Sequence, residues 1–166
     1  MIPTGDARSA TTTWDRNMKQ KLDELLCKKY PEIFVDRHGD MRETCMVWGF
    51  SCGDGWYPLI DELCSKIVEH CISTGARVPH AVQVKEKFAT LRFYIDAGDD
   101  EIYRLIGEAE RKSAITCELT GVPGVLCCGD PSGHGWYRTL SPEAADESGF
   151  YVVKREEDDD EDNVQG

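Results

Sequence analysis

The sequence predicts an α+β fold in which three helices pack on an antiparallel sheet and a small β-ribbon follows toward the C-terminal end. Three observations predict this fold. Apolar residues recur at helical spacing in three segments, and residues 81–95 alternate apolar and polar side chains as a β-hairpin does. After Ser113, short apolar runs alternate with turns rich in glycine and proline, which is typical of a small ribbon.

Each of the three predicted helices has one apolar face. The first spans about residues 14–29, where apolar side chains recur every three or four positions. The second covers residues 59–72, and Gly75 stands where a left-handed cap would end it. The third begins after Asp99 or Asp100, either of which has a side chain suited to cap its first turn.

The strands are predicted from shorter patterns. Residues 45–50 form an apolar run that predicts a short buried strand. Residues 81–95 predict a hairpin whose turn lies near residues 88–90, because β-branched and aromatic residues stand on both sides of that point.

Composition places the chain among globular proteins with a real core. It has 166 residues, of which 40% are hydrophobic, and this length suits one domain. The sequence contains no apolar run long enough for a membrane span, and its first residues do not resemble a secretion signal. Two of the eight cysteines, Cys64 and Cys71, lie in the apolar stripe of the second helix. We therefore expect buried thiols, no disulfide framework and a cytoplasmic location.

The net charge of −12 is concentrated near the C-terminal end. Seven negative charges lie in residues 156–162, which leaves −5 for the remainder. This balance argues against non-specific binding to nucleic acid or to an anionic membrane, since both attract lysine and arginine. Such a tail either keeps a protein in solution or imitates the charge of a nucleic-acid strand and occupies a basic groove.

The segment after Ser113 is similar to a zinc ribbon whose ligands have been partly replaced. A zinc knuckle needs two thiolates three residues apart, followed by glycine. Cys117 occupies the first ligand position, but Thr120 stands at the second, and Ser141 and Ala144 stand where a second knuckle would fall. The favoured interpretation is a ribbon held by its own packing.

A different set of residues keeps zinc possible. Cys117, Cys128 and His134 would supply three ligands, with Cys127 as an alternative to its neighbour. We expect no other cofactor.

The chain is predicted to divide into a flexible leader at 1–12, an α+β core at 13–112, a zinc-ribbon-like appendage at 113–153 and a disordered acidic tail at 154–166.

Two Gly-Trp-Tyr turns are candidates for partner contact. They contain Trp56 and Tyr57 in the first case, and Trp136 and Tyr137 in the second. Tryptophan and tyrosine give a large rigid contact area at a small entropic cost. The other interpretation is that these side chains are buried inside the molecule.

No catalytic constellation is evident, so we expect no enzyme. His38 precedes Cys45 by seven residues, and an imidazole can activate a thiol, but no third group to orient the pair is apparent. The aspartates of residues 96–100 lack the twelve-residue loop of a calcium site, and helix capping explains them.

The strings RHGDMRETC and VKEKFATLRFY, at residues 37–45 and 84–94, are distinctive. Over about residues 20–145 the chain resembles a family of small uncharacterised proteins of bacteriophages and prophages. The resemblance implies a phage setting, a bacterial host cell, and a cysteine-bearing C-terminal ribbon that this sequence has degraded. It implies no catalytic residue.

Together these features predict an accessory binding protein that inhibits a host macromolecule, above all an antiviral defence nuclease or complex, in the manner of an anti-CRISPR protein. The partner would be a host protein that itself binds nucleic acid, since acidic surfaces suit basic grooves. The expected contact residues are Trp56, Tyr57, Trp136, Tyr137, Asp158, Asp159 and Asp160. The alternatives are a zinc-ribbon regulatory or nucleic-acid-binding protein and, third, a cysteine-dependent enzyme. The oligomeric state is left open.

Overall fold

The structure is a computed structural model and describes residues 16–154. This part of the chain contains four α-helices and two three-stranded sheets. This is an α+β fold, as predicted. In chain order the elements are α1 (Gln20–Lys29), β1 (Phe50–Ser51), α2 (Tyr57–Thr74), β2 (Ala81–Lys87), β3 (Thr90–Ile95), α3 (Asp100–Ser113), β4 (Val125–Cys128), β5 (Tyr137–Leu140), α4 (Pro142–Ser148) and β6 (Tyr151–Val152). The predicted leader, and the acidic tail beyond Lys154, lie outside the described residues.

Helix α1 starts later than the sequence predicts. Lys19 has an extended backbone, with φ −55° and ψ 139°, so the helix begins at Gln20. The Lys19 backbone N–H donates instead to Asp54 Oδ1 at 2.8 Å, which ties the start of the helix to the loop before α2. Residues 14 and 15 of the predicted helix are not among those described.

The first sheet has the order β1-β2-β3 and is not purely antiparallel. Strand β1 pairs with β2 in parallel, and β2 pairs with β3 in antiparallel fashion. The prediction of a strand over residues 45–50 was wrong, because Met46–Trp48 form a short 3-10 helix. The Thr44 hydroxyl accepts a hydrogen bond from the Met46 N–H at 3.1 Å and so favours this turn over an extended chain.

The β2–β3 hairpin is the predicted one, and its turn is unusual. Lys87 pairs with Thr90, so only Phe88 and Ala89 form the loop, at φ 51° and φ 64°. Two-residue hairpin loops need such left-handed residues, and glycine or asparagine normally supplies them. Here the Ala89 N–H donates to Glu86 at 2.8 Å, and its carbonyl accepts from the Thr139 hydroxyl at 2.7 Å. The turn is therefore supported from outside the hairpin.

Helices α2 and α3 pack on this sheet around one large hydrophobic core, which we call the main core. Both helices lie where the sequence predicts them. Gly75 ends α2 with φ 71°, and Asp99 caps α3 by accepting the Ile102 N–H at 2.9 Å. The fully buried large side chains of the main core include Trp56, Phe50, Leu26, Ile33, Met46, Ile60, Ile67, Leu91 and Ile102.

Residues 114–154, here called the C-terminal unit, contain more structure than the predicted ribbon. Their strands have the order β5-β4-β6, and a fourth helix, α4, follows β5. The prediction of three helices missed α4, which Ser141 caps by accepting the Ala144 N–H at 3.2 Å. The unit has its own small core of Cys117, Cys127, Leu140, Ala144 and Ala145.

None of the helices within residues 16–154 has the length and apolar content that crossing a bilayer requires.

Candidate functional site

The two Gly-Trp-Tyr turns have different environments. Trp56 is completely buried in the main core, and its indole N–H donates to the Thr116 carbonyl at 2.9 Å. The prediction that Trp56 contacts a partner is therefore corrected, because its surface is already covered by the protein. Tyr57 is half-buried at the start of α2 and packs against the main core.

The second turn lies at the surface. Trp136 is 51% exposed immediately before β5, and the guanidinium carbon of Arg16 lies 4.6 Å from its ring centroid. Tyr137 is half-buried and donates its hydroxyl to the Gly133 carbonyl at 2.6 Å, which closes the loop that carries Trp136. Of the predicted aromatic contacts, Trp136 is the one that offers a large exposed face.

Two adjoining cavities meet at Trp136, and we call them together the Trp136 cleft. One has a volume of about 490 Å³ and is lined by residues from both units, including Arg16, Lys85, Glu86, Glu118, Trp136 and Arg138. The other, of about 580 Å³, adds Lys87, Phe88 and Tyr137. Lys85, Glu86 and Trp136 line both. The supported β2–β3 turn places Phe88 at this rim, where it is 75% exposed.

A buried ion pair forms the floor of the cleft. Arg138 Nε donates to Glu118 Oε2 at 2.8 Å, and the two side chains are 6% and 2% exposed. The other oxygen of Glu118 accepts the Gly53 backbone N–H at 2.9 Å, which joins the C-terminal unit to the loop before α2. Sequence reasoning missed this pair because the partners are 20 residues apart and no local spacing marks them.

Glu86 lies beside this pair on β2. Burial raises the pKa of the Glu86 carboxyl above its ordinary value, although the hydrogen bond from the Ala89 N–H opposes the shift. The negative charge of Glu118 acts in the same direction as burial. Glu86 therefore keeps its proton to a higher pH than an exposed glutamate does.

Cys117 has the surroundings of a metal-knuckle cysteine without the metal-binding partners. Burial by itself would raise its pKa, but hydrogen bonds to the sulfur from the Thr120 side chain and from the backbone N–H groups of Ser141, Thr120 and Leu119 lower it below the ordinary value. Thr120 and Ser141 are two of the positions where the sequence predicts lost ligands, and Ala144 belongs to the same small core. Two of the three replaced ligand positions, Thr120 and Ser141, thus form hydrogen bonds with the Cys117 sulfur.

The structure does not bring Cys117, Cys128 and His134 together. Within residues 16–154, no three His, Cys, Asp or Glu side chains form a group that could hold a metal ion. Cys127 and Cys128 are consecutive in β4 and so point to opposite faces, and it is Cys127 that shares the small core with Cys117. His134 is exposed and lies 3.1 Å from the Ser132 hydroxyl.

The remaining candidates have structural roles or no visible partner. No hydrogen bond joins His38 to Cys45, and both are exposed. Among the aspartates, Asp96 accepts the His80 N–H at 2.9 Å and pairs with Arg77, while Asp99 caps α3 and lies 2.7 Å from His70. Asp99 caps the helix as the sequence suggested, whereas the contacts of Asp96 with Arg77 and His80 were not predicted.

One face of α4 carries acidic side chains that form no ion pair with other described residues. Glu143, Asp146 and Glu147 are all exposed, and none forms an ion pair with another described residue. Residues 143–166 contain ten acidic and two basic residues, a net charge of −8. The predicted contacts Asp158, Asp159 and Asp160 belong to this stretch but lie outside the described residues.

No protein-family model matches the chain, and neither the curated proteins nor the solved structures include a match.

Proposed function

We propose that the protein is a non-enzymatic, phage-type inhibitor that binds a nucleic-acid-binding protein of the bacterial host and occupies its basic groove, above all in an antiviral defence nuclease or complex. The observation that carries the proposal is the exposed, unpaired acidic face of α4 next to the acidic end of the sequence. A phage setting is the part of the proposal that rests on the resemblance alone.

The spacing on α4 suits this role. Glu143, Asp146 and Glu147 stand at i, i+3 and i+4, so their carboxylates project from one side of the helix. Closely spaced exposed carboxylates approximate the charge of a phosphate backbone, and a groove that binds nucleic acid is lined with lysine and arginine. Because none of the three has a described cation partner, their charge is available to a second protein.

The thiols give little support to the cysteine-enzyme alternative. Burial raises the pKa of Cys27 to about 12 and raises the pKa of Cys52 and Cys64 as well, so these thiols stay protonated at neutral pH. Cys117, whose pKa is lowered, is completely buried and cannot reach a substrate without local opening. Binding without chemistry is the function that these surroundings support best.

The test is capture followed by a competition assay. Tagged full-length protein would be incubated with nuclease-treated bacterial lysate at low and high salt, and captured proteins identified by mass spectrometry. We expect at least one nucleic-acid-binding protein to be retained at low salt. The purified chain should then displace nucleic acid from that protein.

A matched set of variants makes the test specific. Replacing Glu143, Asp146 and Glu147 by glutamine, asparagine and glutamine should weaken both capture and displacement. The control removes three acidic charges from elsewhere on the surface, Glu32→Gln, Glu43→Gln and Glu69→Gln, which are exposed and form no ion pair with residues 16–154. If the two triple variants lose the same amount of binding, or if the captured protein keeps its nucleic acid, the proposal is wrong.

A zinc-dependent regulatory or nucleic-acid-binding protein remains the second candidate, because the hydrogen bonds to the Cys117 sulfur are those of a zinc knuckle. Elemental analysis of full-length protein purified without added zinc distinguishes the two. One zinc per chain would favour this candidate over the inhibitor.

A further inference from the structure

The Trp136 cleft contains an arginine with two donor nitrogens that have no hydrogen-bond partner among residues 16–154. Arg138 uses Nε for the ion pair with Glu118, and neither Nη1 nor Nη2 makes a hydrogen bond to a described residue. Among residues 16–154, no fully buried side-chain nitrogen or oxygen atom lacks a partner. The two Nη atoms of this 5% exposed residue must therefore reach the open space of the cavity that Arg138 lines.

The guanidinium group is oriented before any ligand arrives. Glu118 is fixed on one side by the Gly53 N–H at 2.9 Å and on the other by Arg138 at 2.8 Å. An arginine held in this way presents a rigid fork of N–H donors, which matches the oxygens of a phosphate or a carboxylate. A preorganised group loses little conformational entropy when it binds.

The charge of the cleft is opposite to that of the protein. Four cationic side chains line it, and two carboxylates, Glu86 and Glu118, oppose them; the cations are Arg16, Lys85, Lys87 and Arg138. The chain as a whole carries −12. This local excess of positive charge attracts an anionic ligand to the cleft, whereas the acidic remainder of the surface attracts cations.

An aromatic wall stands next to the arginine. Trp136 immediately precedes β5, Arg138 is the second residue of that strand, and both line the same cavity. The larger of the two cavities adds the rings of Phe88 and Tyr137 beside Trp136. A flat ring can stack on such a wall while an attached anionic group reaches the arginine.

We propose that the Trp136 cleft binds a mononucleotide, with the phosphate bound by Arg138 and the base stacked on Trp136. The volumes of the two cavities, about 490 and 580 Å³, are in the range of small-molecule sites. This site does not depend on the acidic face of α4, and the protein can have either function without the other.

Isothermal titration calorimetry on the full-length chain tests the proposal with the four common nucleoside 5′-monophosphates, with adenosine, and with inorganic phosphate. We expect at least one monophosphate to bind, and adenosine and phosphate alone to bind at least about tenfold more weakly, because each makes half of the contacts. If inorganic phosphate bound as tightly as the monophosphates, Trp136 would have no role in binding. If no monophosphate bound at concentrations up to about 1 mM, the cleft would not be a mononucleotide site.

Variants assign the contacts. Arg138→Gln should remove the contribution of the phosphate group to the binding affinity, so that the monophosphate binds no more tightly than adenosine. Because Arg138 is buried and its variant can fail to fold, the exposed Trp136→Leu and Lys85→Gln serve as independent tests, and each should weaken monophosphate binding severalfold. Trp48→Leu is the matched control, since Trp48 is 65% exposed and lines neither cavity. Unchanged affinity in both Trp136→Leu and Lys85→Gln would overturn the proposal.

Discussion

The main core and the C-terminal unit are stabilised in different ways. The main core contains 23 buried apolar residues from α1, α2, α3, the first sheet and the segments that connect them, whereas the small core has five, of which two are alanines and two are cysteines. Apolar burial is the dominant favourable term in folding and grows with the area removed from water. Five mostly small side chains cannot supply what 23 supply, so the C-terminal unit needs other contributions.

Hydrogen bonds to the rest of the chain make up part of the difference. The Gly55 N–H donates to the Glu118 carbonyl at 2.8 Å, the Trp56 indole donates to Thr116 at 2.9 Å, and the Thr139 hydroxyl donates to Ala89 at 2.7 Å. Glu118, whose carboxylate pairs with Arg138 inside the unit, also accepts the Gly53 N–H across this interface. The comparison teaches that the C-terminal unit is stabilised largely through its contacts with the rest of the chain.

Trp56→Ala should have the largest effect, because it removes a fully buried indole from the main core and a hydrogen bond to the C-terminal unit at once. We expect a loss of about 4 kcal/mol in the free energy of unfolding, measured by urea denaturation. Amide exchange should speed up in β4 and β5 as well as in α2. Trp48→Ala, at a 65% exposed site, should cost less than about 0.5 kcal/mol. Unchanged exchange in β4 and β5 would mean that the two units are stabilised separately.

Glu118→Ala should come next. It leaves the Arg138 charge buried without its carboxylate and removes the acceptor of the Gly53 N–H. Breaking a buried pair from one side costs about 3 kcal/mol or more. Replacing both partners by leucine should restore part of the loss, because no uncompensated charge remains, although the Gly53 N–H still lacks its acceptor. A Glu118→Ala variant as stable as the parent protein would show that this carboxylate does not stabilise the C-terminal unit.

The thiols should show opposite pH dependences in the two regions. Burial raises the pKa of Cys64 in the main core, so its contribution to stability is fully present below the unfolded-state pKa, about 8.5, and declines as the pH rises above it. For Cys117 burial acts in the same direction, but the hydrogen bonds from Thr120 and the backbone lower the pKa, so its contribution grows as the pH rises toward that value.

Urea denaturation of Cys64→Ala and Cys117→Ala between pH 7 and pH 9.5 tests this contrast. The stability difference between the parent protein and Cys64→Ala should shrink by about 1 kcal/mol from pH 8 to pH 9.5. The difference for Cys117→Ala should grow from pH 7 to pH 8.5. Parallel curves for the two variants would contradict the contrast between the two environments.

The sequence predicted the elements whose signals are local and could not predict those that depend on contacts between distant segments. The α2 periodicity, the Gly75 cap and the β2–β3 alternation are complete within their own segments, and the structure confirms them. The strand over residues 45–50 was wrong because Thr44 stabilises a 3-10 turn there, and an apolar run alone does not distinguish the two.

The candidate sites divide in the same way. The two Gly-Trp-Tyr turns look alike in sequence, yet Trp56 is covered by the main core and Trp136 is exposed, since burial depends on what packs above a turn. The Glu118–Arg138 pair and the cleft above it arise where the C-terminal unit meets β2. No pattern within either segment predicts that meeting. The contacts of Thr120 and Ser141 with Cys117 join residues that the sequence pattern had already grouped by their spacing.

The helix caps give the smallest and most closely matched comparison, since Ser141 caps α4 in the C-terminal unit and Asp99 caps α3 beside the main core. Ser141→Ala should cost about 1 kcal/mol at any pH between 3 and 7, because a hydroxyl does not titrate there. The hydrogen bond with His70 lowers the pKa of Asp99, so the effect of Asp99→Ala should be full above the unfolded-state pKa of about 3.9 and should vanish as the pH falls through the folded-state value. Urea denaturation in steps from pH 7 to pH 2 measures both variants, with the exposed Ser65→Ala as the control. An Asp99→Ala defect that stays constant over this whole range would mean that the carboxylate charge does not contribute to this cap.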